Sequence, residues 1–143
     1  MATTESVEVE IAGLLDALAG AYSAKLPDQA VELFTEDAVV VGTGADEIRF
    51  GREDVRAQIE RDISQADALR ATYDGLRVVA TGDVAWLYAS LLAEVTIGDD
   101  ELTMPMRFTA TAVRSGQRWR FSQAHFSLPF ADQAEGESFA RPT

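Results

Sequence analysis

The sequence has no cysteine and a single histidine, and these two scarcities exclude several kinds of chemistry. Without cysteine there is no disulfide, no catalytic thiolate and no cysteine-based zinc or iron–sulfur site. With His125 alone, a zinc site built from several histidines of one chain is also excluded. We therefore predict no metal site.

Basic residues are also few, since 12 lysines and arginines stand against 24 aspartates and glutamates and the formal net charge is −12. Such a surface repels nucleic-acid phosphates and anionic lipid headgroups. No apolar run approaches the roughly 18 residues that a membrane-spanning helix needs. The stretch Met1–Glu10 is acidic, unlike a secretory signal. We expect a cytoplasmic protein that binds neither nucleic acid nor membranes.

What the chain does contain is enough apolar material for one packed core, because 47% of its 143 residues are hydrophobic. We predict a single domain over residues 5–130. Residues 131–143 are small and polar, and we expect them to form a flexible tail.

The first half of the domain has helical spacing. Apolar residues recur every three or four positions from Glu5 to Ala24, which predicts a helix. Pro27 suits the first position of a second, short helix. A third helix is predicted after Gly51. Two short strands, Ala38–Val41 and Glu47–Phe50, are predicted between the second and third helices.

The second half changes to strands joined by short turns. Glycine-containing turns near residues 82, 98 and 116 indicate antiparallel hairpins. Helices followed by such a meander predict an α+β fold with the helices on one face of the sheet. The predicted strands are Leu69–Ala80, Val84–Ile97, Leu102–Arg114 and Arg118–Leu128.

One sheet face is predicted to be apolar. A two-residue turn at 115–116 and a four-residue turn at 98–101 put small and large apolar side chains of three strands on the same side. Small residues under a helical roof leave room for a cavity, with large residues as its walls. We predict that Met106, Phe108, Trp119 and Phe121 contact a ligand. The inward set is Ala85, Leu87, Ala89, Leu91, Ala93, Val95, Met104, Met106, Phe108, Ala110, Ala112, Trp119 and Phe121.

Few polar side chains belong to this predicted cavity. In the same register Gln123 and His125 point inward, so Gln123 is a candidate ligand contact and His125 a candidate general base. Asp74, the second candidate base, joins them only if its strand pairs without interruption, and the glycine after it is typical of a bulge that reverses the side chains. Glu47 precedes the third helix and is predicted at the cavity mouth. For each residue a purely structural role is the alternative.

The opposite sheet face carries Trp86, Tyr88 and Leu92, together with Arg107 and Glu94. These aromatic and aliphatic side chains are too apolar to lie together in water on a monomer. Aromatics beside an arginine are typical of protein interfaces. We predict a homodimer packed sheet to sheet. The alternative is a second layer formed by the chain's own tail.

Several local features, in their order along the chain, indicate a family. They are the junction at 34–38, Val-Gly-Thr-Gly at 41–44, Gly-Asp-Val-Ala-Trp at 82–86, and the ending from Trp119 to His125-Phe126-Ser127. Over about residues 9–130 their order resembles the SnoaL-like group of the nuclear-transport-factor-two-like superfamily, which includes steroid isomerases and polyketide cyclases. The resemblance implies a cone-like curved antiparallel sheet wrapped on N-terminal helices, with an internal pocket and a dimer through the outer face. The isomerases and cyclases use an acidic general base without a cofactor, and we expect no cofactor here.

Three hypotheses about function remain open. The chain could bind a small apolar or aromatic molecule in its pocket. It could be a cofactor-free isomerase, cyclase or lyase with His125 or Asp74 as general base. It could also be a dimeric structural or assembly module whose interior is core alone.

Overall fold

A computed structural model describes residues 4–142. Met1–Thr3 of the acidic N-terminal stretch and Thr143 of the predicted tail lie outside the described residues. Each predicted helix and strand is present, with ends that differ by a few residues. The elements are α1 (Thr4–Ser23), α2 (Pro27–Val31), β1 (Phe34–Val41), β2 (Ile48–Phe50), α3 (Arg52–Ser64), β3 (Ala68–Thr81), β4 (Val84–Ile97), β5 (Asp100–Ser115) and β6 (Arg118–Ser127).

The helices form where the sequence provides start signals and an apolar stripe. Pro27 opens α2, and α3 follows Gly51, whose φ of 90° suits glycine. On α3 the buried residues Val55, Ile59 and Ile63 recur at helical spacing. No helix among residues 4–142 is long and apolar enough to cross a membrane.

The strands form one sheet in the order β2-β1-β6-β5-β4-β3. Strands β3 to β6 form an antiparallel meander, whereas β1 lies parallel to β6. The sheet is curved and open, and α1 packs against it on β3 and β6. The α+β prediction, with helices on one sheet face, is confirmed.

The hairpin turns differ from the predicted ones by a register shift that preserves the face of each side chain. The observed two-residue turns are 82–83, 98–99 and 116–117, since Thr81 pairs with Val84, Ile97 with Asp100 and Ser115 with Arg118. Their glycines adopt positive φ values of 55°, 59° and 65°, which β-carbon-bearing residues disfavour. The pairings across the second and third turns moved by two residues. The inward set of β4 and β5 is therefore correct.

Strand β6 departs from the prediction because it contains a bulge. Ala112 pairs with Phe121 but Thr111 pairs with Gln123, so Ser122 is the extra residue. Beyond Ser122 the side chains exchange faces. The predicted inward position of Gln123 and His125 is wrong: His125 pairs with Thr109 and is exposed on the outer face.

Burial explains why Ala124 and Phe126 face inward after the bulge. The exchange turns the apolar neighbours inward, so Ala124 is fully buried and Phe126 packs on the core, with its ring 4.8 Å from that of Phe108. Burying two apolar side chains is more favourable than burying an amide and an imidazole. Strand β1 has a matching irregularity, because it pairs through Phe34 with Phe121 and then through Val39 with Gln123.

Strand β3 has the predicted irregularity at Asp74. The pairing with β4 shifts between Asp74 and Arg77, and Gly75 adopts a φ of 64°. The Gly75 N–H donates to Asp74 Oδ1 at 2.8 Å. Asp74 is exposed and its neighbour Tyr73 packs on the core, so Asp74 does not face the interior.

Candidate functional site: an apolar cavity with an acidic end

A cavity of about 310 Å³ lies between the helices and the inner face of the sheet. Its size is at the lower end of the range for small-molecule pockets. Its walls are largely apolar, and small residues of β3 and β4 leave the space open. The apolar lining consists of Leu15, Leu18, Ala19, Ala66, Leu69, Ala71, Leu91, Ala93, Val95, Ile97, Met104, Met106, Phe108 and Phe126.

Polar side chains from α1, α3 and the β1–β2 connection meet at one end of this cavity. The Tyr22 hydroxyl donates to Asp62 Oδ2 at 3.2 Å. The Gln58 amide donates to Asp62 Oδ1 at 2.7 Å and to Glu47 Oε2 at 2.8 Å. Arg61 lies 3.4 Å from Glu47 Oε2. We call Tyr22, Glu47, Gln58 and Asp62 the acidic end.

The environment of the acidic end shifts the proton affinities of its members. Burial raises the pKa of the Asp62 carboxyl above its ordinary value, although hydrogen bonds from Gln58 and Tyr22 oppose that rise. Burial and the neighbouring Asp62 carboxylate raise the pKa of Tyr22 well above its ordinary value. Tyr22 therefore stays protonated and donates, while Asp62 can take up a proton more readily than an exposed aspartate.

Asp62 keeps acceptor capacity for a ligand. A carboxylate has about four acceptor sites, and the contacts from Gln58 and Tyr22 use one site on each oxygen. A hydroxyl or enol of a molecule in the cavity could donate to the others. Desolvated carboxylates in apolar surroundings are suited to general acid–base catalysis.

The β1–β2 connection closes tightly around Glu47. Its carboxylate accepts from the Gly44 N–H at 2.6 Å, and its backbone bonds twice across the loop to Gly42 and Gly44. A β-carbon at Gly42 would lie 2.9 Å from Glu47 Cβ, and one at Gly44 would lie 2.8 Å from Glu47 Oε1. The two glycines let the loop pack directly on this carboxylate.

The structure places the predicted site residues in three groups. Met106, Phe108 and Glu47 line the cavity. Trp119 and Phe121 are buried on the inner face but lie in the core outside the cavity: the Trp119 indole donates to Glu10, and the Phe121 ring packs 5.5 Å from Phe34. The third group, His125, Gln123 and Asp74, lies outside the cavity altogether, so their predicted part in it is wrong.

Sequence reasoning missed three residues of the acidic end: Asp62, Tyr22 and Gln58. Asp62 follows Gln58 by four positions and Ile59 by three, so it lies beside the buried stripe of α3. An acid on the apolar side of an amphipathic helix was the available signal. Tyr22 lies in the last turn of α1, where helical spacing alone indicates core packing.

On the outer face the predicted interface residues are solvent-exposed. Trp86 is 46% exposed, and Tyr88 and Leu92 are 36% exposed each. Arg107 is held within the chain by hydrogen bonds to Ser127 Oγ at 3.1 Å and to the Leu128 carbonyl at 3.2 Å. This exposed apolar surface is compatible with an interface.

A family model described as a SnoaL-like domain matches residues 11–131. The chain belongs to the SnoaL-like family. The matched range covers the cavity and all strands of the sheet. No curated protein matches the sequence.

Solved structures share the fold at low sequence identity. An NTF2-like protein of unknown function from Pseudomonas putida KT2440 superposes with a TM-score of 0.79 at 22% identity, covering 99% of this chain and 100% of that one. A Streptomyces avermitilis protein of the NTF2-like family, provisionally named a dehydratase, gives 0.82 at 16% identity, covering 90% and 100%. A Novosphingobium aromaticivorans DSM 12444 protein, provisionally named a scytalone dehydratase, gives 0.78 at 14%, covering 85% and 83%. These likenesses support the fold.

Proposed function

We propose that this SnoaL-like domain binds a small molecule with an apolar or aromatic body and a polar group at one end. The observation that supports this most directly is the hydrogen-bonded pair of Asp62 and Tyr22 in the lining of a largely apolar cavity. The apolar body would lie against Met104, Met106 and Phe108. Thioether and aromatic side chains adapt well to flat, polarisable ligands.

A thermal-shift screen of hydrophobic molecules tests the binding proposal. A ligand at one hundred times its Kd stabilises the folded state by about 2.7 kcal/mol. Hits that stabilise the wild type should lose most of this effect in Asp62→Asn, because the polar group of the ligand loses its charged acceptor. Asp28→Asn, an exposed site on α2, is the matched control and should leave the effect unchanged. If no molecule in a broad library stabilises the protein, the proposal is wrong.

We further propose that the bound molecule is a substrate for cofactor-free proton transfer, as in an isomerase, cyclase or lyase, with Asp62 as the general base in place of the residues first predicted. The raised pKa of the buried Asp62 carboxyl supports this second step. In such a reaction Asp62 would remove a proton from a carbon beside a carbonyl. The electron pair would move into an enolate, and the carboxyl group would return the proton at another atom or to a leaving hydroxyl. Two structural neighbours provisionally named dehydratases have the same fold.

Deuterium exchange detects this proton-removal step even though the natural substrate is not identified. Cyclic ketones that stabilise the protein are incubated in heavy water, and exchange at the carbon beside the carbonyl is followed by NMR. Asp62→Asn should lower the exchange rate by about 10² to 10⁴, the usual contribution of a general base. His125→Ala should leave it unchanged. Exchange that survives in Asp62→Asn would exclude this residue as the base.

We also propose that the domain is a homodimer through its outer sheet face. Trp86, Tyr88 and Leu92 leave an apolar surface that a second copy would cover. The variant Trp86→Asp introduces a charge into this surface and should give a monomer by light scattering. Val9→Asp makes the same kind of change at an exposed site on α1 and should leave the mass as in the wild type. An unchanged mass in Trp86→Asp would reject this interface.

A further inference from the structure

We infer that Gln58 is a positioning residue, which holds the Asp62 carboxylate at the cavity and joins it to the β1–β2 connection. Gln58 is 5% exposed and is the single polar residue that is buried among those the structure describes. A buried amide is costly unless its hydrogen bonds are satisfied. Its placement between two acids therefore has a physical reason that core packing does not supply.

The hydrogen bonds of Gln58 fix the orientation of its amide. Both donors of the NH₂ group are used, by Asp62 Oδ1 at 2.7 Å and by Glu47 Oε2 at 2.8 Å. The amide oxygen accepts from Arg49 Nε at 3.0 Å. A flipped amide would place its oxygen against two carboxylates and its NH₂ against a guanidinium. Electrostatics therefore allow one orientation, in which the donors face the acids.

Gln58 also separates two like charges. The titratable and charged groups around Asp62 are Tyr22 from α1, Glu47 from the β1–β2 connection and Arg61 from α3. A neutral double donor between Asp62 and Glu47 stabilises the ionised form of each and keeps each oxygen in a defined place. Arg49, itself 3.3 Å from Asp54, anchors the amide from β2.

The inference deepens the proposed function, because the position of Asp62 affects chemistry only if Asp62 is the acid–base group. The hydrogen bond from Gln58 to the Asp62 carboxylate can be tested without any substrate. The carboxyl carbon of Asp62 is followed by NMR through a pH titration, together with the side-chain NH₂ signals of Gln58. In the wild type the signal of the NH₂ proton that Gln58 donates to Asp62 should shift with the same midpoint as the Asp62 carboxyl, because the two groups share that hydrogen bond.

Two variants remove the donors in different ways. Gln58→Leu has no donor, and Gln58→Glu keeps the shape but replaces the NH₂ by oxygen. Gln58→Leu should raise the midpoint of Asp62 by about one pH unit, a tenfold change in its proton affinity, which is the usual effect of one lost hydrogen bond to a charged group. Gln58→Glu should raise the midpoint further, because it also places a third carboxyl between the two acids. Glu60→Gln, at an exposed position of the same helix, should leave the midpoint within about a fifth of a unit.

The outcomes separate the two proposals. If the midpoint of Asp62 is unchanged in a folded Gln58 variant, or if the wild-type NH₂ signals do not follow the Asp62 titration, the positioning role is wrong. The wild-type measurement decides the matter even where both variants fail to fold. If the titrations couple as expected but deuterium exchange persists in Asp62→Asn, Gln58 positions Asp62 while the proposed base is wrong.

Discussion

Filling the cavity should stabilise the protein while it weakens ligand binding. Ala93 lines the cavity on β4, between Ala71 on β3 and Met104 on β5. Replacing Ala93 by Leu adds three carbons that point into the space. Each fully buried methylene contributes about 0.8 kcal/mol, so the upper bound is about 2.4 kcal/mol. Because Ala93 is half-buried, we expect about 1 kcal/mol, or a rise in Tm of about 3 °C.

Urea denaturation of wild type and Ala93→Leu gives the change in unfolding free energy, and titration with a screening hit gives the change in affinity. We expect binding to weaken at least tenfold, since the added carbons occupy the ligand's volume. Ala17→Leu adds the same carbons on the exposed side of α1 and should change both quantities little. A destabilised Ala93→Leu would mean that the space is too small for a side chain, and undiminished binding would place the ligand elsewhere.

Other predictions address charge and packing. Because the folded-state pKa of Asp62 is raised, the folded chain keeps that proton to higher pH than the unfolded chain, whose carboxyl has a pKa of about 3.9. The free energy of unfolding should therefore fall as the pH rises from about 3.9 through the folded-state pKa. Urea denaturation of Asp62→Asn at several pH values should no longer show this loss. An unchanged pH profile in this variant would contradict the raised pKa. His125→Ala should leave ligand binding by titration unchanged, because the imidazole faces outward, and a loss of binding would contradict its assignment. Phe108→Ala, at a fully buried ring between Phe121 and Phe126, should cost about 3 to 5 kcal/mol in urea denaturation; a loss below 1 kcal/mol would show that the core collapses around the vacancy.

The local signals of the chain were sufficient for the elements and for most of the sheet. Pro27, Gly51 and the turn glycines define where helices and hairpins begin, and alternation in β4 and β5 defines the inner face, because these signals depend on neighbouring residues alone. Local signals could not show which side chains of β6 face inward beyond Ser122. The bulge at Ser122 arises where β6 pairs with β5 on one side and β1 on the other, so it depends on residues distant in sequence.

Local patterns pointed to single members of the acidic end, such as Glu47, but not to their assembly. Tyr22, Glu47 and Asp62 come from three separate elements, and only the fold brings them together. The alternation of Ala124 and Phe126 against Gln123 and His125 did contain a usable signal. Placing Ala124 and Phe126 inward buries two apolar side chains, which favours the observed orientation over the one that a regular strand after the turn predicts.

The packing of Gly42 and Gly44 against Glu47 has an evolutionary consequence. Because neither position has room for a β-carbon while Glu47 remains in place, the three sites should vary as a group among related sequences. Lineages with a larger residue at position 44 are expected to carry a shorter side chain at position 47, because the clash there is with the end of the Glu47 side chain, whereas position 42 faces Glu47 Cβ and should stay glycine. Such lineages would lack one of the two carboxylates beside the cavity, so this pattern in an alignment would mark relatives with altered chemistry.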